Sequence, residues 1–297
     1  MRFTEPVFRP PQEADSLLLR GTQGCTHNKC HFCFIGRNSV FRFASPDYLE
    51  EELRSKLGYY RRNTRVFRAF LVGANPFALK ADKLLALAAV IKKHLPLCPE
   101  ISMHCRITDI ARKSSEELWT LKEAGINHLY PGTENGNDEA LSLMNKGATV
   151  EDSLVQLKRL ENVGIEYTAN YIFGMAGSGQ GEVSGIKTAE MFNKLKPRRI
   201  TSTGLTVYPN TPLAEMVRVG QFTESSELEK VEEMLAFFEI LKTETVVDTR
   251  HYLNYINMEV RIPEERDAAV DRLKMILHTS SNERITKYYR RDTFVNL

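Results

Sequence analysis

The chain has 297 residues, 42% of them hydrophobic and 26% charged, a composition typical of globular proteins that excludes disordered and collagen-like chains. Its formal net charge of +2 does not indicate a polyanionic partner. No apolar run approaches the roughly 20 residues of a membrane span, and the N-terminus lacks the apolar core of a signal peptide, so we predict a cytoplasmic protein without a membrane partner.

Short apolar runs alternate with longer helical patterns from residue 16 onward. Six of the runs read as strands, each followed by a helix, and they cover residues 16–20, 66–72, 101–106, 128–131, 166–173 and 200–207. Successive βα units with right-handed crossovers build a parallel sheet covered by helices, as an open doubly wound sheet or an incomplete barrel. Both folds place their chemistry at the carboxyl ends of the strands.

Apolar stripes and end signals mark the helices. Residues 81–95 carry a stripe at helical spacing, formed by Leu84, Leu87, Ala88, Ile91 and Leu95. An N-terminal capping box followed by a glycine C-cap occurs twice, as Ser114, Glu117 and Gly125 and as Thr149, Asp152 and Gly164.

The C-terminal part of the chain reads as a helix over residues 225–242, then a tail with a final helix at residues 263–278. No linker rich in Gly or Ser interrupts the chain. We therefore predict one domain whose main part covers residues 1–242, with a C-terminal extension over residues 243–297 that packs on it. Candidate substrate contacts in the tail are Tyr252, Asn254, Tyr255, Asn257 and Arg261. A strand packed on the main part of the domain is the plainer interpretation of that segment.

Three of the five cysteines, Cys25, Cys30 and Cys33, fall within nine residues directly after the first predicted strand. They therefore lie in a loop at the carboxyl end of a strand, where such folds carry their active sites. In a reducing compartment this cluster indicates metal or redox chemistry rather than disulfides. Cys98 and Cys105 are distant and unaccompanied, so we interpret them as packing residues.

Clustered thiolates select three kinds of metal group. Zinc needs a fourth ligand, which His27 or His31 could supply, but closed zinc sites usually pair two ligand hairpins and this is one loop. A [2Fe–2S] cluster matches the cysteine spacing, with Cys98 as fourth ligand, yet such ferredoxins are small electron carriers. A cubane cluster on three cysteines leaves one iron open, and an open coordination site is a catalytic site.

The cysteine loop and the motifs described next resemble the radical S-adenosylmethionine (radical SAM) superfamily, over about residues 16–242. In that family a three-cysteine loop after the first strand of a partial barrel binds a [4Fe–4S] cluster. This loop has four residues between its first two cysteines, where the family usually has three. The resemblance implies an α/β fold, a partial (β/α)6 TIM-like barrel with a C-terminal extension, and Cys25, Cys30 and Cys33 as metal ligands.

The resemblance also implies residues that bind S-adenosylmethionine. The Gly-Ala-Asn-Pro turn at residues 73–76 follows the second strand where the family's GGEP-like motif sits, so it is expected to receive the methionyl amino group. The usual Glu of that motif is missing. An aromatic residue before the third cysteine matches the one that borders the adenine, and an arginine closes the third strand at the barrel mouth. These expected contacts are Phe32, Gly73, Ala74, Asn75 and Arg106.

Residues 128–147 resemble the branch that contains oxygen-independent coproporphyrinogen oxidases and tRNA-modifying enzymes. In that branch the position of Glu134 takes the ribose hydroxyls, and the position of Lys146, twelve residues later, carries a cation that faces the methionyl carboxylate. The fifth strand is similar to the branch's own motif, which implies Asn170 on the ribose and Ile172 against the adenine.

Each assignment has a structural alternative from the residues alone. Glu134 is compatible with a solvated loop residue, and Lys146 with an exposed cation at a helix end. Asn170 is compatible with a satisfied polar group in a strand, Gly73 with a simple turn and Arg106 with a structural salt bridge. The order of the candidates along the chain favours the functional interpretation, because each candidate falls at a strand end in the succession that the barrel requires.

The resemblance implies that one electron cleaves S-adenosylmethionine to methionine and a 5′-deoxyadenosyl radical, which abstracts hydrogen from a small or medium-sized organic substrate. The expected partners are that substrate and an electron donor such as flavodoxin or ferredoxin, and the protein is expected to be oxygen-sensitive. Only 24 residues precede Cys25 and no cysteine group follows Cys105. A cobalamin domain, an auxiliary cluster and methylthiolation are therefore not expected.

Two other functions fit the same residues. A haem- or cluster-carrying protein would keep the cysteines without cleaving S-adenosylmethionine, and some relatives of this branch resemble haem chaperones. An RNA-modifying enzyme would use the basic run of Arg61, Arg62, Arg65 and Arg68 as a phosphate track. The balanced charge and the lack of an added RNA-binding domain disfavour a nucleic-acid partner.

Overall fold

The computed structural model describes residues 6–37, 39–59, 68–283, 285 and 289. Its strands are β1 (Leu17–Arg20), β2 (Thr22–Gln23), β3 (Arg42–Phe43), β4 (Arg68–Val72), β5 (Glu100–Cys105), β6 (Ile126–Pro131), β7 (Glu166–Phe173), β8 (Arg199–Gly204), β9 (Thr245–Asp248) and β10 (Glu259–Ile262). Its helices are α1 (Pro46–Tyr59), α2 (Ala81–His94), α3 (Ile107–Ala111), α4 (Ser115–Glu123), α5 (Asp138–Leu143), α6 (Val150–Val163), α7 (Gly181–Phe192), α8 (Pro212–Arg218), α9 (Glu227–Ile240) and α10 (Arg266–Thr279).

All six predicted strands are present as β1 and β4–β8, although residues 66 and 67 lie outside the described part. The bounds of β7 are those predicted from the sequence. The strand β8 ends at Gly204, three residues before the predicted end, because its pairing with β7 stops where Phe173 meets Gly204. An α/β fold of parallel strands with intervening helices is confirmed.

The predicted helix signals are also confirmed. At the start of α4, the Glu117 N–H donates to Ser114 Oγ (3.1 Å) and the Ser114 N–H donates to a Glu117 carboxylate oxygen (2.7 Å). Gly125 follows that helix with a φ of 94°, the left-handed conformation that ends a helix. No helix within the described ranges is long and apolar enough to cross a membrane.

The chain divides into two compact units, and the first contains the described residues of 1–28, 35–132 and 158–167. Here β1, β4, β5 and β6 pair in parallel in that order, and the first two residues of β7 pair with β6. The N-terminal turn places Glu13, which is fully buried, beside two strands. Its carboxylate accepts hydrogen bonds from Ser102 Oγ (2.9 Å) and Tyr130 Oη (2.5 Å).

The second unit contains the described residues of 29–34, 133–157 and 168–297. The remainder of β7 pairs in parallel with β8, and β8 pairs in parallel with β9. The strand β10 joins β9 in antiparallel orientation. The tail therefore adds two strands beside β8, and the predicted domain boundary at residue 242 stays a prediction. The basic run predicted at Arg61–Arg68 lies outside the described residues except for Arg68.

Candidate active site

The cysteine loop presents three thiol groups. Cys25 belongs to the first unit, and Cys30 and Cys33 belong to the second. All three are half-buried and not joined in disulfides, whereas Cys98 and Cys105 are buried. Thiol groups that reach the surface of their units are the donors that an iron–sulfur cluster requires. The donor set therefore fits the cluster that the sequence predicts.

Cys98 is poorly suited to be the fourth ligand of a ferredoxin-like cluster. Cys98 precedes the amino end of β5, whereas Cys25 follows the carboxyl end of β1 in the same parallel sheet. The two cysteines therefore lie at opposite ends of the strands of the first unit. Burial also raises the pKa of the Cys98 thiol, which disfavours the thiolate that binds metal.

The second half of the cysteine loop is fastened to two helices of its own unit. The His31 N–H donates to the carbonyl of Met144 (2.9 Å), and the His31 carbonyl accepts from the N–H of Leu213 (3.0 Å). The Nδ1 of His31 lies 2.8 Å from the carbonyl of Leu143. These bonds occupy one ring nitrogen of His31 and give this residue a structural role beside Cys30.

Phe32 and Ile172 belong to one apolar cluster of the second unit. Ile172 on β7 packs in a buried group with Met144 from the end of α5 and Met175 after β7, and Phe32 lies against that group. The two residues that the sequence analysis assigned to the adenine therefore border the same apolar cluster. Their side chains supply the kind of apolar surface that an aromatic base needs.

Glu134 is held at four points by the residues around it. Its backbone N–H donates to the Asn170 carbonyl (2.9 Å), and its carbonyl accepts from the Ile172 N–H (2.8 Å). Its Oε1 accepts from Lys146 Nζ (2.6 Å), and its Oε2 accepts from Asn170 Nδ2 (2.6 Å). The φ of Glu134 is 66°, a left-handed conformation that such strong anchoring can maintain.

Burial excludes the solvent-exposed alternatives for this group. Glu134 is 7% exposed and Lys146 is 6% exposed, so neither is a solvated surface residue. The chain turns after α5 at Asn145 and Gly147, both with positive φ, and this turn directs Lys146 inward. A buried ion pair with an amide beside it presents both charges and hydrogen-bonding groups to a polar ligand.

The turn at residues 73–76 holds the residue that follows the first cysteine. Asn75 is fully buried, and its Nδ2 donates to Thr26 Oγ1 (2.7 Å) while its Oδ1 accepts from the Thr26 N–H (3.3 Å). Gly73 has a φ of 152°, and a Cβ there would lie 2.1 Å from the hydroxyl oxygen of Thr22. Glycine is therefore required at this position, and Ala74 beside it is half-buried.

Asp109 is a residue of this turn that the sequence analysis missed. Its Oδ2 accepts from Asn75 Nδ2 (3.0 Å) and from the Arg106 N–H (2.9 Å). The signal that could have found it is its place three residues after Arg106, where a carboxylate caps the N-terminus of α3. The GGEP-like motif has Glu at the position of Asn75. In this chain Asp109 supplies a carboxylate beside that position.

The family model of the radical SAM superfamily matches residues 19–192, more than half of the chain. Among curated proteins, the heme chaperone HemW of Bacillus subtilis (strain 168) is 26% identical over 160 residues, which cover 52% of this chain and 41% of that protein. The chain thus spans less than half the length of this curated relative.

Solved structures share the fold. Coproporphyrinogen III oxidase (HemN) from Escherichia coli is 20% identical with a TM-score of 0.58, over 75% of this chain and 52% of that chain. Methylornithine synthase (PylB) is 14% identical with a TM-score of 0.54, over 94% of this chain and 84% of that chain. These likenesses confirm the predicted fold class.

The family match also confirms the two cofactors that the sequence predicts, a [4Fe–4S] cluster and S-adenosylmethionine. The half-buried thiols of the cysteine loop fit the cluster. Within the second unit, the buried ion pair of Glu134 and Lys146 and the apolar group around Ile172 fit the polar and aromatic parts of S-adenosylmethionine. The chain belongs to the radical SAM superfamily.

Proposed function

We propose that the protein is an enzyme that cleaves S-adenosylmethionine reductively and then abstracts a hydrogen atom from a small or medium-sized organic substrate. The observation that carries this proposal is the buried ion pair of Glu134 and Lys146, whose carboxylate also accepts from the half-buried Asn170. A buried ion pair contributes little net stability, because removing two charges from water offsets most of their attraction. Ligand binding is the better reason for its presence.

Cys25, Cys30 and Cys33 are proposed to hold the cluster, which supplies the single electron for the cleavage when it is bound. Three thiolates leave one iron available to a ligand. Asn75 supports this assignment, because its amide hydrogen bonds hold Thr26, the neighbour of Cys25, in one conformation.

The second unit is proposed to orient S-adenosylmethionine. Glu134 would accept hydrogen bonds from the ribose hydroxyls, and Asn170, already bonded to that carboxylate, would add a second ribose contact. Lys146 would place its positive charge against the methionyl carboxylate while it keeps Glu134 oriented. Phe32 and Ile172 would cover the adenine and exclude water from it.

In the first unit, Gly73, Ala74 and Asn75 are proposed to form the turn that receives the methionyl amino group, with Arg106 nearby. The carbonyls of this turn are the acceptors, because an amino group donates hydrogen bonds and the side-chain acceptor of Asn75, its Oδ1, already accepts from the Thr26 N–H. The proposed partners are a small-molecule substrate and an electron donor such as flavodoxin or ferredoxin, and the cytoplasmic location stays a prediction.

A haem-carrying function is the second candidate, favoured by the likeness to the heme chaperone HemW. A carrier of this kind would bind haem stoichiometrically and would not consume S-adenosylmethionine. The buried ion pair at Glu134 favours the enzyme, because binding haem alone gives no reason for groups suited to a ribose and an amino acid.

The experiment that tests the proposal is anaerobic reconstitution with iron and sulfide, followed by dithionite and S-adenosylmethionine. We expect slow formation of 5′-deoxyadenosine and methionine. The matched control is Cys30→Ala prepared in the same way, which should form neither product. If the fully loaded wild-type protein binds haem and forms no 5′-deoxyadenosine, the proposed enzymatic function is wrong and the haem-carrying function is supported.

A further inference from the structure

Glu233 is a buried carboxylate on α9, in the second unit, and it is 0% exposed. Its Oε1 accepts hydrogen bonds from Tyr171 Oη (2.6 Å) and Ser184 Oγ (2.9 Å), and its Oε2 accepts from the Gly174 N–H (2.7 Å). None of these three donors is a cation. A buried carboxylate without a hydrogen-bonded cation is a poor choice for stability alone, so its contacts call for another reason.

The first set of contacts fixes the end of β7. Successive residues of a strand point to opposite faces, so Tyr171 reaches Glu233 on one face while Asn170 reaches Glu134 on the other. Gly174, directly after the strand, is bound by the second carboxylate oxygen. Glu233 therefore fixes the segment that carries Asn170 and Ile172 from the face of β7 opposite to Glu134.

The second set of contacts fixes the loop after β6. Asn135 directly follows Glu134, and its Nδ2 donates to Ser184 Oγ (2.9 Å). The Ser184 hydroxyl in turn donates to Glu233. Because Asn135 and Ser184 are both buried, this chain of hydrogen bonds has no competition from water.

Close packing of α7 on α9 makes the chain possible. A Cβ at Gly185 would lie 2.4 Å from the backbone oxygen of Glu233, and a Cβ at Gly181 would lie 3.2 Å from Glu233 Cβ. The two glycines let α7 approach α9 until Ser184 meets the carboxylate.

We propose that Glu233 is a positioning residue for S-adenosylmethionine, which it does not touch. It ties the segment that carries Glu134 to the segment that carries Asn170 and Ile172, so that their side chains face the ligand together. The inference rests on the function proposed above for these three residues. A misplacement of about 1 Å can lower a reaction rate about a hundredfold. We expect release of this tie to have a smaller effect on the affinity for S-adenosylmethionine, about tenfold.

The test measures the dissociation constant of S-adenosylmethionine by equilibrium dialysis with the cluster-loaded protein. Glu233→Gln keeps the size of the side chain but replaces one acceptor oxygen by a donor, so it cannot accept from all three partners. We expect a dissociation constant about tenfold higher with unchanged iron content. Hydrogen exchange at the amide of Gly174 should also be faster, because its acceptor is weakened.

Two milder variants separate the contacts and keep the test valid if Glu233→Gln folds poorly. Tyr171→Phe removes the bond to β7, and Ser184→Ala removes the bond to Asn135. Each should weaken binding several-fold, and Ser184→Ala should add little in the Glu233→Gln background, because both act through one path. The matched control is Glu239→Gln on the same helix, whose carboxylate pairs with Lys274 at the surface.

One outcome would overturn the positioning role alone. In it, the wild-type protein binds S-adenosylmethionine and the dissociation constant is unchanged in Glu233→Gln and in both milder variants. An equal loss in Glu239→Gln would also overturn it. No binding by the cluster-loaded wild-type protein would overturn the proposed function and this inference with it.

Discussion

Lys146 and Glu134 form an ion pair of 2.6 Å in which both side chains are more than nine-tenths buried. The pair spans twelve residues, and α5 lies between its members. Because Asn170 binds the other oxygen of Glu134, one carboxylate joins the loop after β6, the turn after α5 and the strand β7. The two charges balance, so the site is close to neutral before a ligand enters.

The first prediction separates binding from stability at this pair. Lys146→Met should weaken S-adenosylmethionine binding more than tenfold, since a charge-assisted hydrogen bond is worth about 1.5–3 kcal/mol. It should also lower the free energy of unfolding by about 3–5 kcal/mol, because Glu134 is left buried without its partner. In Lys146→Met with Glu134→Gln, thermal stability should recover and binding should not. Recovery of binding in the double variant would contradict the assignment.

The second prediction concerns the cluster ligands. Cys25→Ala, Cys30→Ala and Cys33→Ala should each abolish the cluster, because each removes one of three thiolates. Cys98→Ala and Cys105→Ala, at buried positions, should keep it. Iron and sulfide content after reconstitution provides the measurement, with about four irons per chain expected for a cubane cluster. Loss of the cluster in Cys98→Ala would favour the ferredoxin-like alternative.

The third prediction concerns the support of the cysteine loop. Asn75→Ala removes both hydrogen bonds to Thr26 and the bond to Asp109. The reconstituted variant should lose iron to a chelator several-fold faster than wild type. Asn127→Ala, which loses a single bond to a backbone carbonyl, is the matched control. Equal rates of iron loss in Asn75→Ala and wild type would show that this turn does not hold the loop.

The fourth prediction is a pH dependence of stability. Burial raises the pKa of Glu233 to about 7 from an ordinary value of 4.5, against the opposing effect of bonds from Tyr171, Gly174 and Ser184 and of the Lys230 charge. The folded state therefore binds the proton more tightly than the unfolded state. The resulting stability is fully present below pH 4.5 and is lost as the pH rises through 7.

Glu233→Gln provides the comparison for this pH effect. The difference in melting temperature between wild type and Glu233→Gln should shift against wild type from pH 5 to pH 8, by an amount equivalent to on the order of 2 kcal/mol. The two proteins share every other titrating group, so that difference isolates Glu233. A constant difference across this range would contradict the raised pKa.

The strands could be read from the sequence because each apolar run is bounded by helix signals, as with the exact bounds of β7 and the cap at Gly125. The pairing of Lys146 with Glu134 could not, because it depends on the turn that Asn145 and Gly147 form after α5. Both residues were predicted to face a ligand, and their contact with each other is a property of the folded turn.

Buried polar contacts between distant segments were also beyond sequence reasoning. Glu13 lies before the first predicted strand, yet its carboxylate accepts a hydrogen bond from Tyr130, which is 117 residues later in the chain. Glu233 and Asp109 likewise lie on helices. The spacing of apolar residues along a helix does not predict that one of its carboxylates is buried. Such residues are recognised only when their partners are brought together by the fold.

The formation of 5′-deoxyadenosine by the reduced, cluster-loaded protein tests the central claim most directly. Wild type should form it slowly without substrate, and Glu134→Gln and Asn170→Ala should form it at least about tenfold more slowly with the same iron content, because both residues are assigned to the ribose. A fully loaded wild-type protein that yields no 5′-deoxyadenosine under strong reductant, and binds haem stoichiometrically instead, would contradict the account.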